Sequence, residues 1–139
     1  VFQQDYLMKL IMQFIQGIQR SMERASSEND EGDPESAADL LEATIGVATE
    51  IDGGVLLSLS PDSIASVLQV SGTDPGVAEY IGRTMFLESD YLARAGRAED
   101  AQLRLDQARA LADAYGFELS ESLGGEGSMR QFLQQEQAE

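Results

Sequence analysis

Four side chains between positions 83 and 94 come nearest to a chemical site. Arg83, Phe86, Asp90 and Arg94 recur at intervals of three or four, and on a helix that spacing puts them on one face together with Ala93. Two guanidiniums beside an aromatic ring can grip a carboxylate, such as a chain terminus or an acidic side chain, through charge-assisted hydrogen bonds. The same residues can also satisfy one another. Glu79 with Arg83 and Asp90 with Arg94 are acid–base pairs four apart, which commonly just decorate a solvated helix. Catalysis has less to work with. The chain holds no histidine and no cysteine, which removes imidazole acid–base chemistry, thiol nucleophiles, disulfides and zinc sites of the Cys/His type. Acids one or two residues apart, such as Glu99 with Asp100 or Glu88 with Asp90, point to different faces of a helix and form no dyad. The run Glu28 to Asp33 has its glycine in the wrong place for a calcium loop, and Gly124 to Ser128 lacks the lysine of a phosphate loop. The chain therefore reads as non-enzymatic, with no catalytic residue, no metal site and no cofactor.

Charge narrows the partners. Nine basic residues face 25 acidic ones, a formal charge of −16, and no Lys or Arg occurs between Arg24 and Arg83. Such a surface repels phosphate backbones, so nucleic acid is a poor partner. No basic leader or cleavage site is visible, and the opening apolar run, broken by Lys9, is too short to span a bilayer. The expectation is a cytoplasmic protein that binds no membrane.

The elements that must hold the face at 83–94 are helices, and the fold class is all-α. No segment alternates with period two, whereas apolar residues recur at helical spacing almost throughout. A first helix runs from Gln3 to Ala25, and a polar, acidic linker occupies 26–33. Each of the three prolines follows an Asp or Ser: Asp33–Pro34, Ser60–Pro61 and Asp74–Pro75. That pattern sets an N-cap before a proline in the first helical turn. Helices are accordingly expected from Pro34 to about Ile51, from Pro61 to about Val70, from Pro75 to about Ala95 and from Ala98 to Tyr115. Gly72, Gly96 and Gly116 act as stops. Val55 to Ser60 reads as helix or buried connection. Residues 1–119 form one helical domain, and 120–139 form a glycine-rich tail. The end of that tail is either frayed or a short helix docking Met129, Phe132 and Leu133.

The first helix is unusually greasy. At ~100° per residue, Lys9, Gln13, Gln16 and Arg20 make a narrow polar stripe, and apolar side chains take well over half of the circumference. Such a helix calls for cover on more than one side. Either it lies in the middle of its own bundle, or its Leu7–Ile11–Phe14–Ile18 flank faces its own domain while Met8, Met12, Ile15 and Met22 meet a second copy. The linker leaves it free to sit apart from the later helices.

Two helices meeting at Gly96 with almost no loop must pack antiparallel. With its inter-helix glycine set on Gly96, this stretch resembles a tetratricopeptide repeat. Small or large residues fall as that motif asks at Ser89, Leu92, Ala101, Leu105 and Ala108, while Glu88 and Met85 depart from it and the closing proline is missing. The resemblance implies that the first helix of the hairpin lines a concave, peptide-binding groove, here through Arg83, Phe86, Asp90, Ala93 and Arg94. The opening Phe2, Gln4, Asp5 and Tyr6, with the apolar run behind them, resembles the start of an uncharacterised family of short, all-helical bacterial proteins. That likeness implies a helical bacterial protein and no activity. Phe2 and Tyr6, four apart, can pack together.

The function expected from the sequence is thus a protein-interaction or adaptor module. It is a homodimer through Met8, Met12, Ile15 and Met22, and its Arg83–Phe86–Asp90–Arg94 face takes a partner with an exposed carboxylate. The alternative is a helical sensor for an apolar or carboxylated small molecule.

Overall fold

A computed structural model describes residues 2–26, 32–49 and 51–137, and every regular element in them is helical. Seven α-helices follow one another: α1 (Phe2–Ala25), α2 (Pro34–Thr49), α3 (Gly53–Leu56), α4 (Pro61–Val70), α5 (Pro75–Arg94), α6 (Ala98–Tyr115) and α7 (Gly124–Gln137). A 3₁₀ turn at Glu121–Leu123 leads into α7. Most of the acidic linker, and the Phe2 side chain expected against Tyr6, lie outside the described residues.

The helix starts follow from local chemistry. The Asp33 carboxylate accepts from the Ser36 N–H at 3.0 Å, the Ser60 hydroxyl from the Ser63 N–H at 3.3 Å, and Asp74 from the N–H groups of Gly76 and Val77 at 2.9 and 3.3 Å. Each satisfies a donor that the first helical turn leaves unpaired. Gly116 ends α6 with φ at +77°, a left-handed conformation that costs a glycine little and a side chain more.

The central element is α5, not α1. Thirteen of its twenty residues are buried, from Val77 to Leu92, and α1, α2, α6 and α7 all pack on it. The α5–α6 hairpin is antiparallel. The Gly82 backbone lies against Leu111, and Glu88 meets Arg104. α4 packs on α6, and short α3 joins it to α2 with Leu56 and Leu57 in the core.

α1 runs along the edge of this bundle, directly on α2 and α5. It does not sit apart, and it is not a core helix covered all round. The Asp33 N–H donates to the Arg24 carbonyl at 2.9 Å, the buried Ser21 hydroxyl donates to the Ala37 carbonyl at 2.8 Å, and Gly17 lets α1 close on Thr44 of α2. Its inward face is Leu10, Phe14, Ile18 and Met22, with Leu7, Ile11 and Ile15 half-buried beside them. Phe14 stacks on Tyr80 at 5.8 Å between ring centroids, and Tyr80 meets Phe132 of α7 edge-on at 5.0 Å. Met8 and Met12, by contrast, are 59% and 57% exposed. Met22, expected on the outer flank, is only 9% exposed and belongs to the core. At ~100° per residue it lies nearer Ile18 than Met12, so the inner arc takes it.

Candidate functional site

The 83–94 face exists as the spacing dictates, but the chain itself covers it. α7 lies along α5, running the opposite way, with Met129 and Phe132 buried against it. The segment after Ser120 is a 3₁₀ turn followed by helix through Gln137, which docks Met129 and Phe132 on the body while Leu123 stays exposed. Phe86 is 6% exposed, and what remains open of it lines, with Asp90 and Ala93, only a shallow groove.

Each polar member of the face contacts this C-terminal segment. The Asp90 carboxylate accepts from the Glu126 N–H at 3.0 Å and so caps the first turn of α7 from a different helix. The Glu126 carboxylate in turn accepts from the Tyr91 hydroxyl at 2.8 Å and lies 3.6 Å from Arg94, whose other nitrogen reaches Asp90 at 3.3 Å. Burial, and then the hydrogen bond to Glu126, push the Tyr91 hydroxyl well above the usual phenol range. Arg83 pairs with Glu79 at 2.9 Å and donates to the Glu118 carbonyl at 3.0 Å. Its guanidinium sits 4.5 Å from the centre of the Phe132 ring and 5.4 Å from that of Phe117. Arg83 and Arg94 do not converge on one carboxylate: Arg94 lies with Tyr91 beside Glu126 of the same chain, while Arg83 is engaged by Glu79 and the Glu118 carbonyl. Gly125 makes the close approach possible, because a Cβ there would collide with the Phe86 carbonyl oxygen. Beside the first turn of α7, a shallow open groove remains between Ala93 of α5, Ala101 and Leu105 of α6, and Gly125.

A second polar cluster, in the core, went unread. Glu88 is 1% exposed, with one carboxylate oxygen accepting from Arg104 Nε at 3.0 Å and the other without a hydrogen-bond partner. Arg104 also donates to the Leu57 carbonyl at 2.7 Å and to the Gln107 side chain at 3.0 Å. Gln107 donates to the carbonyls of Leu57 and Leu59 at 2.9 and 2.7 Å. The cluster thus satisfies backbone oxygens that the α3–α4 connection would otherwise bury unpaired. Desolvation raises the Glu88 carboxyl to about 7, with Glu42 and Asp39 of α2 adding to the effect against the lowering influence of Arg104. The available signal was an acid at a position where the repeat pattern asks for leucine, with a basic residue one helix later.

Among the described residues, no group of three or more acidic side chains could hold a metal ion, and no helix is long and apolar enough to cross a membrane. The fold and face define the class no further than an all-α helical protein. No protein-family model, curated protein or solved structure matches the chain.

Proposed function

We propose that this chain is a non-enzymatic protein-interaction module that pairs with a second copy of itself through α1. The observation that carries this reading is the outward flank of α1. Met8 and Met12, four apart, stand more than half exposed beside half-buried Ile15, on a chain that buries its other methionines Met22, Met85 and Met129. Covering a large apolar side chain is worth roughly 1.5–3 kcal/mol when it goes from full exposure to full burial, so each of these methionines offers about 1 kcal/mol or more to whatever covers it.

Charge favours a second copy meeting at α1. Two chains of −16 repel wherever their acidic surfaces meet. α1 carries three basic residues, Lys9, Arg20 and Arg24, against two acidic ones, Asp5 and Glu23. Each of the other helices that bears charge has more acids than bases. Pairing through α1 is the approach with the least repulsion. The sensor reading loses ground because Arg83 and Arg94, the expected ligand-wall residues, are engaged with Glu79, Glu118 and Glu126.

The test is the mass in solution of the wild type and of Met8→Glu with Met12→Glu. Ile15 is left alone because it packs on its own core. A dimer for the wild type and an equally stable monomer for the variant support the reading. Monomers of the same size for both, at concentrations that populate a weak dimer, overturn it.

A further inference from the structure

The chain holds no cysteine, histidine or tryptophan, so its five thioethers are the groups that a two-electron oxidant meets first. The fold divides them sharply. Met8 and Met12 are 59% and 57% exposed, whereas Met22, Met85 and Met129 are 9%, 0% and 1% exposed. Of the three large apolar side chains that α1 exposes, Tyr6, Met8 and Met12, two are methionines. The core face of the same helix is leucine, isoleucine and phenylalanine, with Met22 alone among them. Leucine covers apolar surface as well as methionine and forms helix as readily, so covering by itself does not call for sulfur at positions 8 and 12. The two thioethers lie four residues apart, on one strip of the helix. Lys9, three residues before Met12, and Gln16, four after it, border that strip with hydrogen-bond donors.

We infer that Met8 and Met12 form a reversible oxidation site through which a hydroperoxide controls the pairing of α1. Each thioether sulfur attacks the terminal oxygen of the hydroperoxide. The S–O bond forms as the O–O bond breaks, and the proton passes to the departing oxygen, which leaves as water or an alcohol. Sulfur gives up two electrons and the peroxide takes them. Reversal needs a dithiol: a sulfoxide reductase returns the thioether and water, and the dithiol becomes a disulfide. The sulfoxide is polar where the thioether was apolar. Its oxygen asks for donors of the kind Lys9 and Gln16 carry, and an apolar partner face has none to give. Pairing covers these two side chains and the free chain presents them, so oxidant and second copy compete for the same sulfurs. The three buried methionines take no part, because the fold shields them. The site stands on exposure alone, and its control of pairing rests on the reading of α1 proposed above.

The test treats the full-length chain with graded hydrogen peroxide. Peptide masses give the oxygen gained at each methionine, circular dichroism gives the helix content, and mass in solution gives the pairing. Met8 and Met12 should each gain one oxygen at least tenfold faster than Met22, Met85 and Met129. Chain carrying only those two sulfoxides should keep the helix content of untreated chain and pair at least tenfold more weakly. Sulfoxide reductases supplied with a dithiol should restore the original affinity. Met8→Leu with Met12→Leu should pair as untreated chain does and ignore the same dose. Oxygen spread evenly over the five methionines overturns the site. Undiminished pairing of the doubly oxidised chain overturns the control while the pairing of α1 stands. Untreated chain and leucine variant that are both monomeric overturn the pairing, and the control with it, and the oxygen map then decides the site by itself.

Discussion

Replacing Glu88 by glutamine should change how stability depends on pH. In the native chain this carboxyl is raised from 4.5 to about 7, chiefly by burial. Between those two values the native state holds a proton that the unfolded chain has released, so stability is greatest below pH 4.5 on this account and falls as pH rises through 7. Each pH unit in that window carries about 1.4 kcal/mol, so the full loss is roughly 3–4 kcal/mol. Glu88→Gln keeps an oxygen for Arg104 Nε and cannot titrate. Urea unfolding of both proteins at pH 5, 6, 7 and 8 gives the assay. The remaining carboxylates and their mutual repulsion act on both alike, so the difference isolates position 88. Wild type should lose up to about 3 kcal/mol relative to the variant from pH 5 to pH 8. A difference that is flat within about 0.5 kcal/mol, or that grows in favour of wild type, refutes the reasoning. The latter result would mean that the Arg104 bond at 3.0 Å outweighs the desolvation and holds the carboxyl low.

Three further outcomes follow from the same geometry. Gln107→Leu leaves the Leu59 carbonyl without its side-chain donor and weakens the hold on Leu57. It should cost about 2–3 kcal/mol in denaturant unfolding. Asp74→Ala removes the cap of the central helix and should cost about 1 kcal/mol by the same measurement. Arg109 and Glu121 approach to 2.7 Å, and the arginine holds the Glu121 carboxyl below its usual range, yet both are nearly half exposed. A double-mutant cycle on that pair should return about 0.5 kcal/mol or less, shrinking further in salt.

What could be read from the sequence was what local chemistry decides. Asp33–Pro34, Ser60–Pro61 and Asp74–Pro75 cap helices with atoms two or three residues away, and Gly96 and Gly116 end them through their own left-handed backbone, so the all-α class and most element bounds are visible in short windows. The hidden parts depend on distant residues. α7 begins in a glycine-rich stretch that looks like a hinge until Asp90 caps it. The rank of α5 is disguised by Arg83, Glu88, Asp90 and Arg94, whose charges read as solvated until Glu118, Arg104 and Glu126 are brought against them. α1 presents so much apolar circumference that its pattern could not choose an inner arc. Contacts from α2 and α5 did, drawing Met22 inward and leaving Met8 and Met12 out.

The carbonyls of Leu57 and Leu59 wait on side chains about fifty positions later in the chain. During synthesis those oxygens have only water for company until the ribosome has delivered α6. A nascent chain stopped after α5 would lack Arg104 and Gln107, and with them the means to bury Leu57 without stranding its backbone. The segment through α5 should therefore stay hydrated and protease-sensitive until α6 packs on it.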